Sequence, residues 1–149
     1  MKTTKLVSGL LLLLFAGQAL AYESKEAMID DKLSILADAD YARQVETLQG
    51  LQWSGLSDAR LFDKIAELPA SEYRQGMNRH DLGLMAHRVR ALGYSGNPKY
   101  RSLLEDIEAT AAASKLKRHA RSALADLERY QRWNQLLAQS DFSVSGKSY

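Results

Sequence analysis

The sequence predicts an all-α protein, and three observations lead to this prediction. Apolar residues recur every three or four positions through most of residues 26–138, which is the spacing of a helix with one buried face. No segment alternates apolar with polar residues, and β-branched residues are few, so the pattern of a strand is missing. The chain also resembles itself at a spacing of about 41 or 42 residues, which indicates repeated supersecondary units.

Residues 1–21 predict a secretory signal peptide. Two lysines precede an apolar run over residues 6–16, and residues 19–21, Ala-Leu-Ala, match the small-x-small pattern of a cleavage site. Residues 22–139 are then the mature helical-repeat domain, and the polar residues 140–149 are expected to form a flexible tail. We therefore expect an exported protein, either periplasmic or secreted.

Composition and charge narrow the function classes. The chain has 20 Lys and Arg against 18 Asp and Glu, and loss of the two leader lysines leaves equal numbers. This balance disfavours a nucleic-acid binder, which needs a basic surface. No second apolar stretch approaches the roughly 20 residues of a membrane span, so we expect no transmembrane segment in the mature chain. Small secreted eukaryotic domains usually carry disulfides, so the absence of Cys favours a bacterial periplasm.

The first half of the chain predicts three helices. One covers residues 26–37 and a second covers residues 40–51. A third carries the apolar residues within 61–68 and is expected to end at Pro69, which lacks the backbone N–H that a helix uses. Residues 69–79 then form a longer connector, which we expect to be mobile.

The second half begins with a helical pair whose ends are marked. Asp81 is the expected N-cap of the first helix, because its carboxylate can accept backbone N–H groups of the first turn. Gly93 and Gly96 are expected to end this helix and allow a tight turn. The next helix starts at residues 97–98, where Asn caps and Pro takes the first helical position.

The apolar phase predicts a break in the long C-terminal helical pattern. If one helix continued through this region, the buried stripe that reaches Ala111 would pass onto polar residues such as Lys115. The next apolar residues would instead lie about half a turn away around the helix axis. A break over residues 112–114 restores burial. Ser114 is then the expected N-cap of a last helix that runs to about Ala138.

The internal repeat contains two helices in each copy. Residues 40–55 align with residues 81–96, and Asp, Leu, Ser and Gly coincide between them. After a shift of one residue the similarity continues through three apolar pairs, which are Leu61 with Leu103, Phe62 with Leu104, and Ile65 with Ile107.

The second copy and the helix after it resemble HEAT repeats, whereas the first copy departs from the pattern, because it reads Gln-Gly-Leu-Gln over residues 49–52 and has no proline after Gly55. Residues 89–98 read Val-Arg-Ala-Leu-Gly-Tyr-Ser-Gly-Asn-Pro, similar to the phrase in which an inner helix ends in Ala-Leu-Gly and turns through Gly-Asp-Pro. Residues 114–127 are similar to the following inner helix, where basic residues precede Ala-x-x-Ala-Leu. The resemblance covers about residues 40–127. It implies a short right-handed α–α superhelix of two to three helical hairpins that serves as a scaffold or adaptor and has no catalytic residue.

Arginines form the main candidate site for a partner. Four of them share the face of the last helix that lies opposite its apolar stripe, and a fifth lies on the inner helix of the preceding pair. We expect the partner to be another protein of the cell envelope. Two alternatives stay open, namely an anionic lipid or glycan bound by the same arginines, and a solvated charged face without a ligand. The partner-binding candidates are Arg88, Arg118, Arg121, Arg129 and Arg132.

Three aromatic residues are predicted to be structural. Trp53 and Tyr94 occupy equivalent positions in the repeat, where each is expected to seal its turn onto the core. The alternative is that they are exposed, in which case they would be anchors for a partner. Trp133 is expected to pack against a neighbouring helix.

A small periplasmic hydrolase or lyase is the alternative from a different class. It would use dispersed carboxylates together with His80 or His87. No complete catalytic motif and no His-Glu-x-x-His metal site is present in the sequence. We therefore expect no enzymatic activity, no metal site and no cofactor.

Overall fold

The computed structural model describes residues 24–38 and 40–139, and the predicted leader and tail lie outside these residues. The described chain is all-α and contains no strand, which confirms the predicted fold class. Its six α-helices are α1 (Lys25–Asp38), α2 (Tyr41–Ser54), α3 (Ala59–Glu72), α4 (Arg79–Tyr94), α5 (Arg101–Thr110) and α6 (Ser114–Gln139), with a 3₁₀ turn over Pro98–Tyr100 between α4 and α5.

Helix α4 is the centre of the fold, because it packs against α2, α3 and α6. Helix α6 packs in turn along α4 and α5. The contact between α4 and α6 is close at Gly93, where an added Cβ would lie 2.5 Å from the carbonyl oxygen of Ala123. Gly93 lies inside α4, so the prediction that it ends the helix is wrong: its missing side chain lets two helices approach.

The predicted break before the last helix is confirmed. Helix α5 ends at Thr110 and α6 begins at Ser114, and each buries its own apolar stripe. The Ala113 carbonyl accepts the N–H of Leu116 at 3.0 Å. Ser114 is therefore the first residue of the helix and not its cap.

Two predicted helix ends are wrong. Helix α3 continues through Pro69 to Glu72, and the Pro69 carbonyl accepts the N–H of Tyr73 at 3.3 Å. Proline removes one hydrogen-bond donor and crowds the preceding turn, but the residues after it can still bond, and here its ring is buried near the end of the helix. Helix α4 is capped by Asn78, whose Oδ1 accepts the N–H of Asp81 at 2.9 Å while its Nδ2 donates to the Asp81 carboxylate at 2.7 Å. Asp81 thus supports the cap from inside the helix.

The turn after α2 is built by a serine and a left-handed glycine. Ser54 Oγ donates to the Leu51 carbonyl at 3.0 Å and accepts the N–H of Leu56 at 3.1 Å. Gly55 has a φ of 66°, which residues with a Cβ rarely adopt.

The turn after α4 repeats this arrangement 41 residues later. Ser95 Oγ donates to the Leu92 carbonyl at 2.7 Å and accepts the N–H of Asn97 at 3.1 Å, while Gly96 has a φ of 60°. Equivalent sequence positions therefore form equivalent turns. The stacking of helical pairs into a right-handed superhelix stays a prediction.

Candidate functional site

The two equivalent aromatic residues have opposite environments. Trp53 is 83% exposed, whereas Tyr94 is 8% exposed. The Tyr94 ring lies 5.8 Å from the ring of Tyr130 on α6, and the Arg90 guanidinium lies 5.6 Å from its centroid. The prediction of a sealed turn is confirmed for Tyr94 and wrong for Trp53, because α6 covers the turn after α4 and leaves the Trp53 side chain in solvent.

A cavity of about 460 Å³ lies between the end of α2 and the C-terminal half of α6, and we call it the tryptophan groove. Trp133 is 57% exposed and lines it, so the prediction that Trp133 packs against a neighbouring helix is wrong. Grouped exposed apolar side chains mark interaction sites on soluble proteins. The lining residues are Gln52, Trp53, Gly55, Arg129, Tyr130, Trp133, Asn134 and Leu137.

The floor of the tryptophan groove is held by specific hydrogen bonds. Tyr130 donates its hydroxyl proton to the Gln52 carbonyl at 2.8 Å, which ties α6 to the end of α2. Asn134 Nδ2 donates to the Ser95 carbonyl at 3.0 Å, which ties α6 to the turn after α4. The α6 backbone comes so near this turn that a Cβ at Gly96 would lie 2.6 Å from the Tyr130 carbonyl carbon. The groove is thus formed before any partner arrives.

The four arginines predicted on α6 are all exposed. Arg121 Nε pairs with the Glu108 carboxylate at 2.7 Å, and Arg129 pairs with Asp126 and lines the tryptophan groove. Arg118 and Arg132 form no ion pair with any residue in the described part of the chain. Two arginines therefore have neighbouring acids, and two present an uncompensated charge to solvent.

The prediction that Arg88 lies on an exposed face is wrong. Arg88 is 6% exposed, and its Nη2 donates to the Leu36 carbonyl at 3.3 Å and to Gln44 Oε1 at 3.0 Å. Its Nη1 donates to the Lys64 carbonyl at 3.3 Å. Burial lowers the pKa of this guanidinium below its ordinary value. The helical register signals this position, because Arg88 follows the buried Met85 by one turn.

Asp126 is a buried carboxylate that the sequence reasoning missed. Its side chain is 4% exposed. The carboxylate lies 2.7 Å from Nη2 of Arg90 on α4, and it also forms an ion pair with Arg129 on its own helix. Its place beside Leu127 and one turn after Ala123 puts it on the edge of the apolar stripe, which is the signal that could have found it. Asp126 thus links the α4–α6 contact to the rim of the tryptophan groove.

The histidines lie in two different places. His80 is exposed and its ring lies 4.2 Å from that of Tyr41. His87 on α4 and His119 on α6 are half-buried, and burial lowers the pKa of both, with a further lowering by the charge of Lys115. Among residues 24–38 and 40–139, no three His, Cys, Asp or Glu side chains are grouped closely enough to hold a metal ion. No helix in this part is long and apolar enough to cross a membrane.

Comparison with known proteins adds no relative. No protein-family model matches this sequence, and no curated protein and no solved structure is significantly similar to it.

Proposed function

We propose that this chain is a non-catalytic binding module of the cell envelope and that the tryptophan groove receives a segment of a partner protein. The observation that carries the proposal is the exposure of Trp53 at a position whose counterpart, Tyr94, is covered by the chain's own helix α6. A partner helix or loop over Trp53 would supply the cover that α6 gives to Tyr94.

The chemistry of the groove suits protein recognition. Exposed tryptophans are common energetic anchors of protein interfaces, because a large apolar ring is desolvated when the partner docks. The hydrogen bonds of Tyr130 and Asn134 hold the floor in place, so little ordering of the groove opposes binding. Arg132, which forms no ion pair with any described residue, adds positive charge next to Trp133 in the chain. We therefore propose a partner segment with large apolar side chains and at least one nearby carboxylate.

The resemblance to HEAT repeats agrees with this proposal, since helical-repeat arrays commonly serve as protein-binding surfaces. It also agrees with a scaffold or adaptor role in the periplasm, which the predicted signal peptide supports. The proposal assigns no catalytic step to any side chain.

Affinity capture tests the proposal. The mature protein from residue 22 onward would serve as bait for an envelope extract, beside a variant with Trp53→Ala and Trp133→Ala. Gln135→Ala is the matched control, because Gln135 is an exposed α6 residue that does not line the groove. We expect the wild type and the control to retain the same protein at moderate salt, and the double variant to lose it. Equal retention by all three proteins would contradict the proposal.

A second candidate function follows from the two arginines without ion pairs. Arg118 and Arg132 are exposed and uncompensated among the described residues, and such cations attract anionic lipid head groups or glycans. Sedimentation with anionic vesicles at low and moderate salt tests this function, using Arg118→Glu with Arg132→Glu. Salt-sensitive binding that this variant loses, while the tryptophan variant keeps it, would favour lipid over protein.

A further inference from the structure

A second cavity, of about 380 Å³, lies where the C-terminal end of α1 meets α3 and α4. Its volume falls in the range of small-molecule sites. It shares no lining residue with the tryptophan groove, so the two can be tested separately. The lining residues are Leu36, Ala37, Lys64, Glu67, Leu68, Ser71 and Arg88.

The wall of this cavity contains a buried positive charge, that of Arg88, which forms no ion pair with any described residue. All three hydrogen-bond acceptors of Arg88 are neutral oxygens, and its Nε has no partner among the described residues. No carboxylate in the described part of the chain lies within ion-pair distance of the guanidinium. Buried charges in proteins are ordinarily paired with an opposite charge, because desolvation of an isolated ion costs much free energy. The missing counter-ion points to an anion that comes from outside.

The other charged groups in the lining cancel each other. Lys64 Nζ lies 2.7 Å from the Glu67 carboxylate, so this pair contributes no net charge, although the Glu67 charge also counteracts, from beyond ion-pair distance, the lowering of the Arg88 pKa by burial. Ser71 already donates its hydroxyl proton to carbonyls of its own helix, at 3.0 Å to Glu67 and 3.2 Å to Leu68. The net charge of the lining is therefore that of Arg88, and Lys64 is the second group that could donate to an anion.

The remaining lining residues decide what kind of anion fits. Leu36 and Ala37 from α1 and Leu68 from α3 give the cavity an aliphatic side. An inorganic anion has no apolar surface to bury against these side chains. An alkyl chain does, and moving it from water into contact with them is favourable. The site thus combines one cationic end with one aliphatic side.

We propose that this cavity binds a small aliphatic carboxylate, with the carboxylate at Arg88 and Lys64 and the alkyl part against Leu36 and Leu68. A free carboxylic acid and the C-terminal end of a peptide chain both present this group. Butyrate and an acetylated dipeptide ending in leucine are the two probes that separate these sources.

NMR of the full mature protein tests this site directly. The Nε–H of Arg88 is buried, so its proton exchanges slowly and its resonance reports on the guanidinium. We expect a saturable shift of this resonance and of the Leu36 and Leu68 methyl groups with butyrate, with the dipeptide, or with both. Butanol has the same chain without the charge, and phosphate has the charge without the chain. Equal shifts with butanol or phosphate, or no saturable shift with either carboxylate, would overturn the proposal.

Two lysine variants provide the matched control. Lys64 and Lys99 each form an exposed 2.7 Å ion pair with a carboxylate, but only Lys64 lines the cavity. We expect Lys64→Gln to weaken binding of the carboxylate roughly threefold to tenfold, as the loss of one charge-assisted hydrogen bond would, and Lys99→Gln to leave it unchanged. Equal effects of the two substitutions would contradict a local site. Arg88 itself stays unchanged in these tests because its hydrogen bonds join α4 to three other helices.

Discussion

The turn after α2 and the turn after α4 have the same hydrogen bonds and the same left-handed glycine, yet one is open to solvent and the other is closed. The closed turn buries Tyr94 under α6, and the open turn leaves Trp53 exposed beside the end of the same helix. Local sequence therefore determines the shape of each turn, whereas burial depends on which element lies across it. We propose that a partner covers the open turn as α6 covers the closed turn.

The largest expected difference between the two turns is in side-chain truncation. Tyr94→Ala should lower the free energy of unfolding by about 3 kcal/mol, because it leaves a cavity in the closed turn and removes the contact with Tyr130. Trp53→Ala should change it by less than about 0.5 kcal/mol, since the ring is already in solvent. Urea denaturation followed by circular dichroism measures both. A similar loss in both variants would mean that the open turn is packed.

Two helical glycines sharpen the comparison. Gly93→Ala should destabilise the protein by about 2 kcal/mol, because the new methyl group would meet the backbone of Ala123 across the α4–α6 contact. Gly50 lies in α2 with nothing within 4 Å of an added Cβ, so Gly50→Ala should stabilise by about 0.5 to 1 kcal/mol through helix propensity. Thermal unfolding midpoints should therefore move in opposite directions. Midpoints that fall together would contradict the close approach at Gly93.

The glycines of the turns themselves should differ less. Gly55→Ala should cost about 1 kcal/mol, from the left-handed backbone alone, because its surroundings are empty. Gly96→Ala has the same backbone strain and also meets the α6 backbone at Tyr130, so we expect at least about 1 kcal/mol more. Chemical denaturation of the two variants under identical conditions gives the difference. Equal losses would show that α6 can move away from the closed turn.

The smallest expected effect is a dependence of the free energy of unfolding on pH. It comes from His87 on α4 and His119 on α6, the two helices that pack beside the closed turn. Burial lowers the pKa of His87 and His119 below the ordinary 6.5, so near that pH the unfolded chain binds more protons than the folded chain. Their contribution to stability is complete above 6.5 and is lost as pH falls through the lower folded-state values.

Urea midpoints at about pH 7.5 and about pH 5.5 check this direction. The wild type should lose stability on acidification beyond the loss in a variant with His87→Gln and His119→Gln. The difference between the two proteins removes the contribution of carboxylates, which both contain. An equal loss in both would mean that the histidines titrate alike in the folded and unfolded chains.

The sequence predicted the parts of the fold that depend on periodicity. The break before Ser114 followed from a change in apolar phase, the turn at Gly96 followed from the glycine itself, and the internal similarity aligned Gly55 with it. The failures have tertiary causes. Pro69 does not end its helix because it packs into the core near the last turn, and Gly93 serves a contact between helices and not a turn.

The candidate site was harder to predict from sequence than the fold. The exposed arginines on α6 were placed correctly, because their face follows from helical spacing alone. The charge of Arg88 predicts an exposed face, whereas its position one turn after Met85 places it among buried residues. The burial predicted for Trp53 would need a neighbouring element that residues 24–38 and 40–139 do not place there, and spacing along one helix carries no information about its neighbours.

Site-specific photocrosslinking in intact cells tests the central claim, that the tryptophan groove is the surface a partner covers. A photoreactive amino acid would replace Trp53 or Trp133 in the groove, and Asp30 or Gln135 at exposed positions that do not line it. We predict one shared crosslinked protein from the two groove positions and none from the two controls. Equal crosslinking from all four positions, or none from the groove while an intact partner complex is captured, would contradict the account.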